Sequence, residues 1–231
     1  MISLPPARLQ PAEYNRLVKL LALHYASPLP YPLSGAHFEE LFASAVGGVR
    51  EEKKLLFDVL LGEIGWSLKT VLQSNTSKGA SFEVIIQRCD ILKDHTLSLA
   101  SPVELLGERI LAHFNNFARR SATAQNVADP RAGFLLRNRA QRDFIFFQQR
   151  HRLYTSAEVT WRWANSNKNS LMGFENDRLI FRWYRSGTQL FGIYQIPLEA
   201  HIFHLDWTRA NVDATIAFFI AQGVMRIEED S

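Results

Sequence analysis

"KLLFDVLLGEIGWSLKTVL", Lys54 to Leu72, is the stretch on which the fold turns. Two apolar runs, Leu55–Leu61 and Trp66–Leu72, are joined through Gly62 and Gly65 and read as the two strands of a hairpin. Asp58 interrupts the first run and Lys69 the second, eleven positions later. Charged side chains are seldom buried unless they are paired or bind a metal. Strand side chains alternate faces, so Ser67 and Lys69 share one face while Trp66, Leu68 and Thr70 take the other. An antiparallel hairpin then sets Asp58 across from Lys69, bringing an acceptor-only carboxylate and an ammonium to one point on a sheet. A structural ion pair accounts for two such residues as well as a catalytic pair does.

Helical patterns flank the hairpin. Pro11–Tyr25 carries apolar residues at helical spacing with Pro in its first turn. Ala36–Val46 places Phe38, Leu41, Phe42 and Ala45 in one stripe and stops at Gly47-Gly48. Ser81–Lys93, "SFEVIIQRCDILK", fits either period: alternation groups Phe82, Val84 and Ile86, helical spacing groups Phe82, Ile85, Ile86, Cys89 and Leu92. Ser81 as a cap and the length favour a helix. Which is adopted decides whether Glu83 or Gln87 faces the hairpin. Ser101–Arg120 reads as a further helix.

From Phe134 onward the texture becomes that of an antiparallel sheet. "DFIFFQQ", "EVTWRWA", "DRLIFRWY" and "QLFGIYQIP" are short aromatic and β-branched runs between turn-like pieces, and Asn211–Gly223 closes with a capped helix. The expected fold class is α/β (α+β): a mixed-sheet core flanked by helices, with an antiparallel, β-rich C-terminal part. The expected division is 1–133, the helical N-terminus and core, and 134–231, the Arg- and aromatic-rich β part continuing that core.

Composition bounds the function classes. The chain has 231 residues and one cysteine, Cys89, which excludes a disulfide framework and a cysteine-rich zinc site. No basic-then-apolar leader is visible, and no apolar run approaches the roughly 18 residues of a membrane span. A reducing, cytoplasmic location is expected. The net charge of +3 is unevenly placed: Asn116–Leu190 holds 13 Lys/Arg against 5 Asp/Glu, leaving 13 against 18 for the remainder. A basic half beside an acidic half suggests a polyanion-binding face next to a site for cations.

A carboxylate and a lysine on one sheet suit phosphodiester hydrolysis. The carboxylate holds Mg²⁺, the metal polarises the phosphate and lowers the pKa of a bound water, and the lysine offsets charge in the transition state. One carboxylate is thin for Mg²⁺. Glu83, fourteen residues after Lys69, is the best second ligand, and Glu39 and Glu40, on the helix before the hairpin, are candidates for an outer or second-metal role.

"FDVLLGEIGWSLKT" followed by "SFEVIIQRCDIL" resembles the PD-(D/E)xK nuclease core in the style of type II restriction endonucleases. Asp58 matches the first Asp of that pattern, preceded by Phe57 where the family has Pro, and Lys69 matches the Lys. Ser67 stands where the family usually has an acid. A branch of restriction endonucleases shares this Ser-x-Lys and supplies the missing acid from a Glu about fourteen residues later on a helix, a spacing that Glu83 matches. The resemblance covers about Ala36–Lys93. It implies a restriction-endonuclease-like mixed sheet, Mg²⁺-dependent cleavage of double-stranded DNA with Asp58 and Glu83 as metal ligands, a homodimer cutting a palindromic site, and a companion DNA methyltransferase. A repair or recombination nuclease on the same core, or a DNA-binding module with a defunct site, are the rival readings.

The arginines extend the reading. Arg137, Arg139, Arg142, Arg150 and Arg152 flank one apolar run, while Arg162, Arg182 and Arg185 alternate with Trp161, Trp163, Trp183 and Tyr184. These eight form the expected DNA-facing set, with the aromatic residues more readily read as core than as stacking platforms. Gln148, Gln149, Asn165, Asn167 and Asn169 have the chemistry to read adenine edges. "HIFH", His201–His204, lacks the carboxylates of a metalloprotease, and neither a Gly-rich phosphate loop nor Gly-x-Ser-x-Gly occurs.

Overall fold

In the computed structural model, residues 8–28, 31–73, 77–93, 95–222 and 224 are described. Helix α1 (Pro11–Ala26) and helix α2 (Gly35–Val46) lead into the short strands β1 (Val49–Arg50) and β2 (Val59–Leu61) and the longer β3 (Ile64–Leu72). Strand β4 (Ser81–Arg88), helix α3 (Val103–Ala124), and strands β5 (Asp129–Arg137) and β6 (Asp143–Arg150) follow. Strands β7 (Thr160–Trp163), β8 (Ser170–Glu175), β9 (Arg178–Tyr184), β10 (Gln189–Gln195) and β11 (His201–His204) precede the last helix, α4 (Val212–Ala221).

The strands make two sheets, and the fold is α+β. The first, in the order β1-β2-β3-β5-β6-β11, is mixed because β3 and β5 run parallel. Antiparallel neighbours can be joined by tight turns, but a parallel pair needs a long crossover, and here β4 and α3 lie between β3 and β5 in sequence. The second sheet, β4-β10-β9-β8-β7, is antiparallel throughout. β5 runs across residues 133/134, and β4, from the first part of the chain, forms an edge of the second sheet.

Three apolar layers hold these pieces. Leu17 and Leu21 of α1 and Phe38 and Phe42 of α2 pack on Trp66, Leu68, Leu135, Phe144 and Phe146, one face of the mixed sheet. The opposite face, Phe134, Leu136, Ile145 and Phe147, meets Phe82 and Ile196 beside the second sheet. "FIFF", Phe144–Phe147, is therefore apolar at every position because β6 is covered on both sides. Helix α3 covers the second sheet through Leu106, Ile110 and Phe114 against Trp161, Phe181 and Trp183. Trp161 and Trp183 are core residues, as expected. Gly107 lets the Trp161 ring lie directly on α3, since a Cβ there would come within 2.2 Å of it.

Two local expectations are corrected. Ser81–Lys93 is not a helix: β4 takes Ser81–Arg88, pairing from end to end with β10, and only a short 3₁₀ turn at Ile91–Lys93 follows. The run Val84-Ile85-Ile86 has the β-branched stiffness that favours a strand once a partner edge is present. The first hairpin strand is also shorter than expected. β2 begins only at Val59, because Leu55–Phe57 leaves β3 and turns to α3.

That departure has an identifiable cause. Ser121 and Gln125, buried polar residues near the end of α3, collect the backbone of this segment. Leu56 N–H donates to Ser121 Oγ at 3.1 Å, Phe57 N–H donates to Gln125 Oε1 at 3.3 Å, and Gln125 Nε2 donates to the Phe57 carbonyl at 2.8 Å. Buried backbone groups left without partners cost stability, so these two side chains do what a strand neighbour would have done. Gln125→Ala is expected to destabilise the fold by about 2 kcal/mol in urea unfolding, because it strands both polar groups of Phe57.

Candidate active site

The observed register pairs Val59 with Trp66 and Leu60 with Gly65. Continued by one residue, it sets Asp58 opposite Ser67 and not opposite Lys69, which lies two residues further along the same face. Asp58 N–H still donates to the Trp66 carbonyl at 2.8 Å. Beyond that point β3 has no strand on this side, and the Asp58 carboxylate takes over: its Oδ2 accepts the Leu68 N–H at 2.7 Å. Its other oxygen, Oδ1, has no hydrogen-bond partner among the described residues.

Lys69 makes no hydrogen bond and no ion pair among the described residues, so the simple structural pair of Asp58 with Lys69 is not formed. The two still act on each other. Burial pushes the Asp58 carboxyl up to about 6, Lys69 and the Leu68 N–H pull it back, Glu39 adds to the rise, and Arg50 opposes it. His151, which follows β6, is held down to about 4 by burial and by the nearby Lys69 ammonium, so it is neutral at pH 7. Its Nε2 is buried without a hydrogen-bond partner. Ser67, 5% exposed, shares with Lys69 and His151 a space of about 10 Å³, room for a single water.

The acidic candidates separate. Glu39 and Glu40 clamp Arg50 of β1 at 3.1 and 3.2 Å, with Glu39 close enough to influence Asp58 and Glu40 more exposed. Glu83 lies on β4 of the second sheet and faces away from Phe82, Val84 and Ile86. Ile86 is the residue of β4 that borders the space holding Lys69. Glu83 pairs instead with Arg182 at 2.9 Å. The expected ligand pair of Asp58 and Glu83 is thereby corrected: the change from helix to strand puts Glu83 on the wrong face. Gln87, its alternative, follows a bulge at Ile86, lies opposite Leu190 on the face covered by α3, and bonds His113 of α3 at 2.9 Å. Among the described residues no group of three or more His, Cys, Asp or Glu is placed to hold a metal. A Mg²⁺ ion is commonly held by one or two carboxylates and several waters. Asp58, with one oxygen free of hydrogen bonds among the described residues, has the chemistry of one such ligand, while Glu39 is engaged by Arg50.

The eight arginines divide in the same way. Arg137 donates to Tyr25 Oη, the Leu33 carbonyl and Gln141; Arg142 pairs with Asp206; Arg152 pairs with Glu158 and Glu175; Arg182 pairs with Glu83. Arg162 lies 4.0 Å from the centre of the Phe174 ring. The side chains of Arg139, Arg150 and Arg185 have no ion-pair or hydrogen-bond partner among the described residues. Gln148 is 2% exposed and accepts from Trp66 Nε1 at 2.7 Å, which removes it from the residues able to read a base edge.

His151 and Tyr194, both bordering the Lys69 space, were not singled out by sequence reasoning. His151 stands between two arginines outside any motif, and Tyr194 comes from the second sheet, so no local signal marked either. Against known proteins, the chain matches no protein-family model, no curated protein and no solved structure.

The folded-state pKa of Asp58, about 6, lies above the ~3.9 of an unfolded aspartate, so folding binds this proton more tightly. The group therefore costs nothing well below pH 4, and the cost grows between about pH 4 and 6 and is complete above it. Asp58→Asn keeps an acceptor for Leu68 and removes the buried charge. Denaturant unfolding is expected to show the variant equal to wild type at about pH 3 and more stable by up to roughly 3 kcal/mol at pH 8.

Proposed function

We propose that the chain is a DNA endonuclease, hydrolysing phosphodiester bonds at a site built on Asp58 and Lys69. The observation that carries the reading is a half-buried Lys69 with no partner among the described residues, beside a carboxyl that burial has pushed up to about 6. An ammonium held without a counter-ion in a partly buried place is costly, and a phosphate relieves that cost. Departures from ordinary charge pairing and pKa cluster at functional sites. Lys69 meets the phosphate and stabilises the added negative charge of the five-coordinate transition state. Asp58, fixed at one oxygen by Leu68, presents the other toward the attacking water or a cation. Neutral His151 adds no second positive charge beside Lys69. Mg²⁺, which the resemblance implies, would be held by Asp58 and would polarise the phosphate and acidify water. Ser67 stands beside these groups.

The same reading includes a cytoplasmic protein acting on duplex DNA at specific sites as a homodimer, in the type II restriction manner, with a DNA methyltransferase as its genetic companion. Arg139, Arg150, Arg162 and Arg185 are the members of the arginine set without an ion-pair partner among the described residues, so their charge remains available to phosphates. The mixed sheet, with the helix that carries Glu39 placed before the hairpin, supports the comparison with restriction nucleases. A second reading, a DNA-binding module without catalysis, is favoured by the position of Glu83.

A digest of unmethylated phage DNA decides between them. Wild type with Mg²⁺ is expected to give discrete bands, lost on chelation. Lys69→Ala is expected to reduce cutting by about a hundredfold or more while still shifting DNA on a gel. Glu83→Gln is expected to cut within a fewfold of wild type. Intact DNA in every lane, with binding retained, would establish the module reading; undiminished cutting by Lys69→Ala would remove Lys69 from the chemistry.

A further inference from the structure

The second sheet meets the mixed sheet around a cleft of about 490 Å³, within the range of small-ligand sites. Its floor is apolar, formed by buried Phe114, Ile180, Phe181 and Ile196. Its rim is cationic. Arg150, at the end of β6, and Arg178, at the start of β9, line it without a carboxylate partner among the described residues. Arg152 is different, since Glu158 and Glu175 neutralise it, and its guanidinium lies 4.6 Å from the centre of the Tyr154 ring. Tyr154 and Tyr194 add aromatic surface. The Tyr194 hydroxyl makes no hydrogen bond among the described residues, and the buried Nε2 of His151 has no partner.

This combination selects a ligand chemistry. An inorganic anion would leave the apolar floor and the tyrosines unused. An apolar ligand would desolvate two arginines with no return. A molecule with a flat ring, polar edges and a phosphate uses all three features: ring faces stack on tyrosine, ring edges meet His151 and the tyrosine hydroxyl, and guanidinium groups bind phosphate in pairs of hydrogen bonds. The cleft also adjoins the candidate active site, for His151, Tyr194 and Ala132 line both the cleft and the small space holding Ser67 and Lys69.

We propose that this cleft binds a nucleoside 5′-phosphate. It takes either a free nucleotide or, where the nuclease reading holds, an unpaired residue of the strand whose backbone passes Lys69. A cleft of about 490 Å³ suits a single nucleotide, so the second source carries a substrate preference for unpaired or locally opened DNA.

The test uses full-length protein without Mg²⁺, so that no cleavage intervenes. The probes are 2-aminopurine deoxyriboside 5′-monophosphate and single- and double-stranded oligonucleotides carrying one 2-aminopurine, followed by fluorescence. The double variant Arg150→Gln/Arg178→Gln is compared with wild type, with its melting temperature checked. Saturable binding weakened about tenfold or more in the double variant is expected. Binding of the mononucleotide identifies a free-nucleotide site; binding confined to the oligonucleotides identifies a strand residue. The proposal is overturned if neither probe's affinity differs between wild type and the double variant, or if inorganic phosphate competes as well as the mononucleotide. Failure of the nuclease reading is read separately, from the phage-DNA digest, and leaves mononucleotide binding in place.

Discussion

The Leu68 N–H, donated to Asp58 Oδ2 at 2.7 Å, is the bond on which the rest of the site depends. A central strand must satisfy its backbone on both sides. β3 has β5 along its whole length on one side, but β2 covers only its first three residues on the other. The missing partner has been drawn off by Ser121 and Gln125 of α3. Asp58 stands at the point of divergence and supplies with its side chain the acceptor that the departing backbone no longer offers. The carboxylate is thus oriented by the fold before any ligand arrives, which is the preorganisation that charge stabilisation requires.

The same placement sets the electrostatics. Burial makes the carboxylate of Asp58 costly, and the Lys69 ammonium offsets that cost only in part, because the two do not form a close pair. Lys69 in turn suppresses protonation of His151, already disfavoured by burial. One half-buried positive charge lies near one fixed acceptor, with a neutral imidazole alongside. The arginines follow the opposite rule. Although the span Asn116–Leu190 carries a local excess of positive charge, Arg137, Arg142, Arg152 and Arg182 direct theirs to carboxylates, carbonyls and a tyrosine within the fold. A count of charge along a sequence measures potential partners, and burial decides how many remain for solvent or ligand.

Much of the architecture was legible. Period and punctuation located α1, α2, α3, α4 and the long strands, since cap residues and Gly47 act locally. The change of texture near Phe134 correctly announced the antiparallel part. The misreadings were non-local. Ser81–Lys93 carries both periods, and only the edge of β10 selects the strand. Leu55–Phe57 has strand composition, yet buried groups more than sixty residues away claim its backbone. The loss of Glu83 from the site is the consequence of the first of these, because a strand sends residues 83 and 86 to opposite faces, where a helix would have kept them together.

By itself, the sequence determined the elements and the unusual pair: Asp58 and Lys69 stand out because charge inside an apolar run needs a reason, and that reasoning uses only neighbours along the chain. It also marked the run at β6 as a strand, while its cover on both faces came from the packing of the two layers around it. What only the tertiary structure decided was company: the absence of a salt bridge between Asp58 and Lys69, the arrival of His151 and Tyr194, the pairing of Glu83 with Arg182, and two arginines at a cleft between the sheets that have no carboxylate partner among the described residues. Periodicity fixes which way a side chain points from its own element, but the partners it meets come from strands and helices distant in sequence, whose packing minimises buried unpaired charge and polar backbone over the whole molecule.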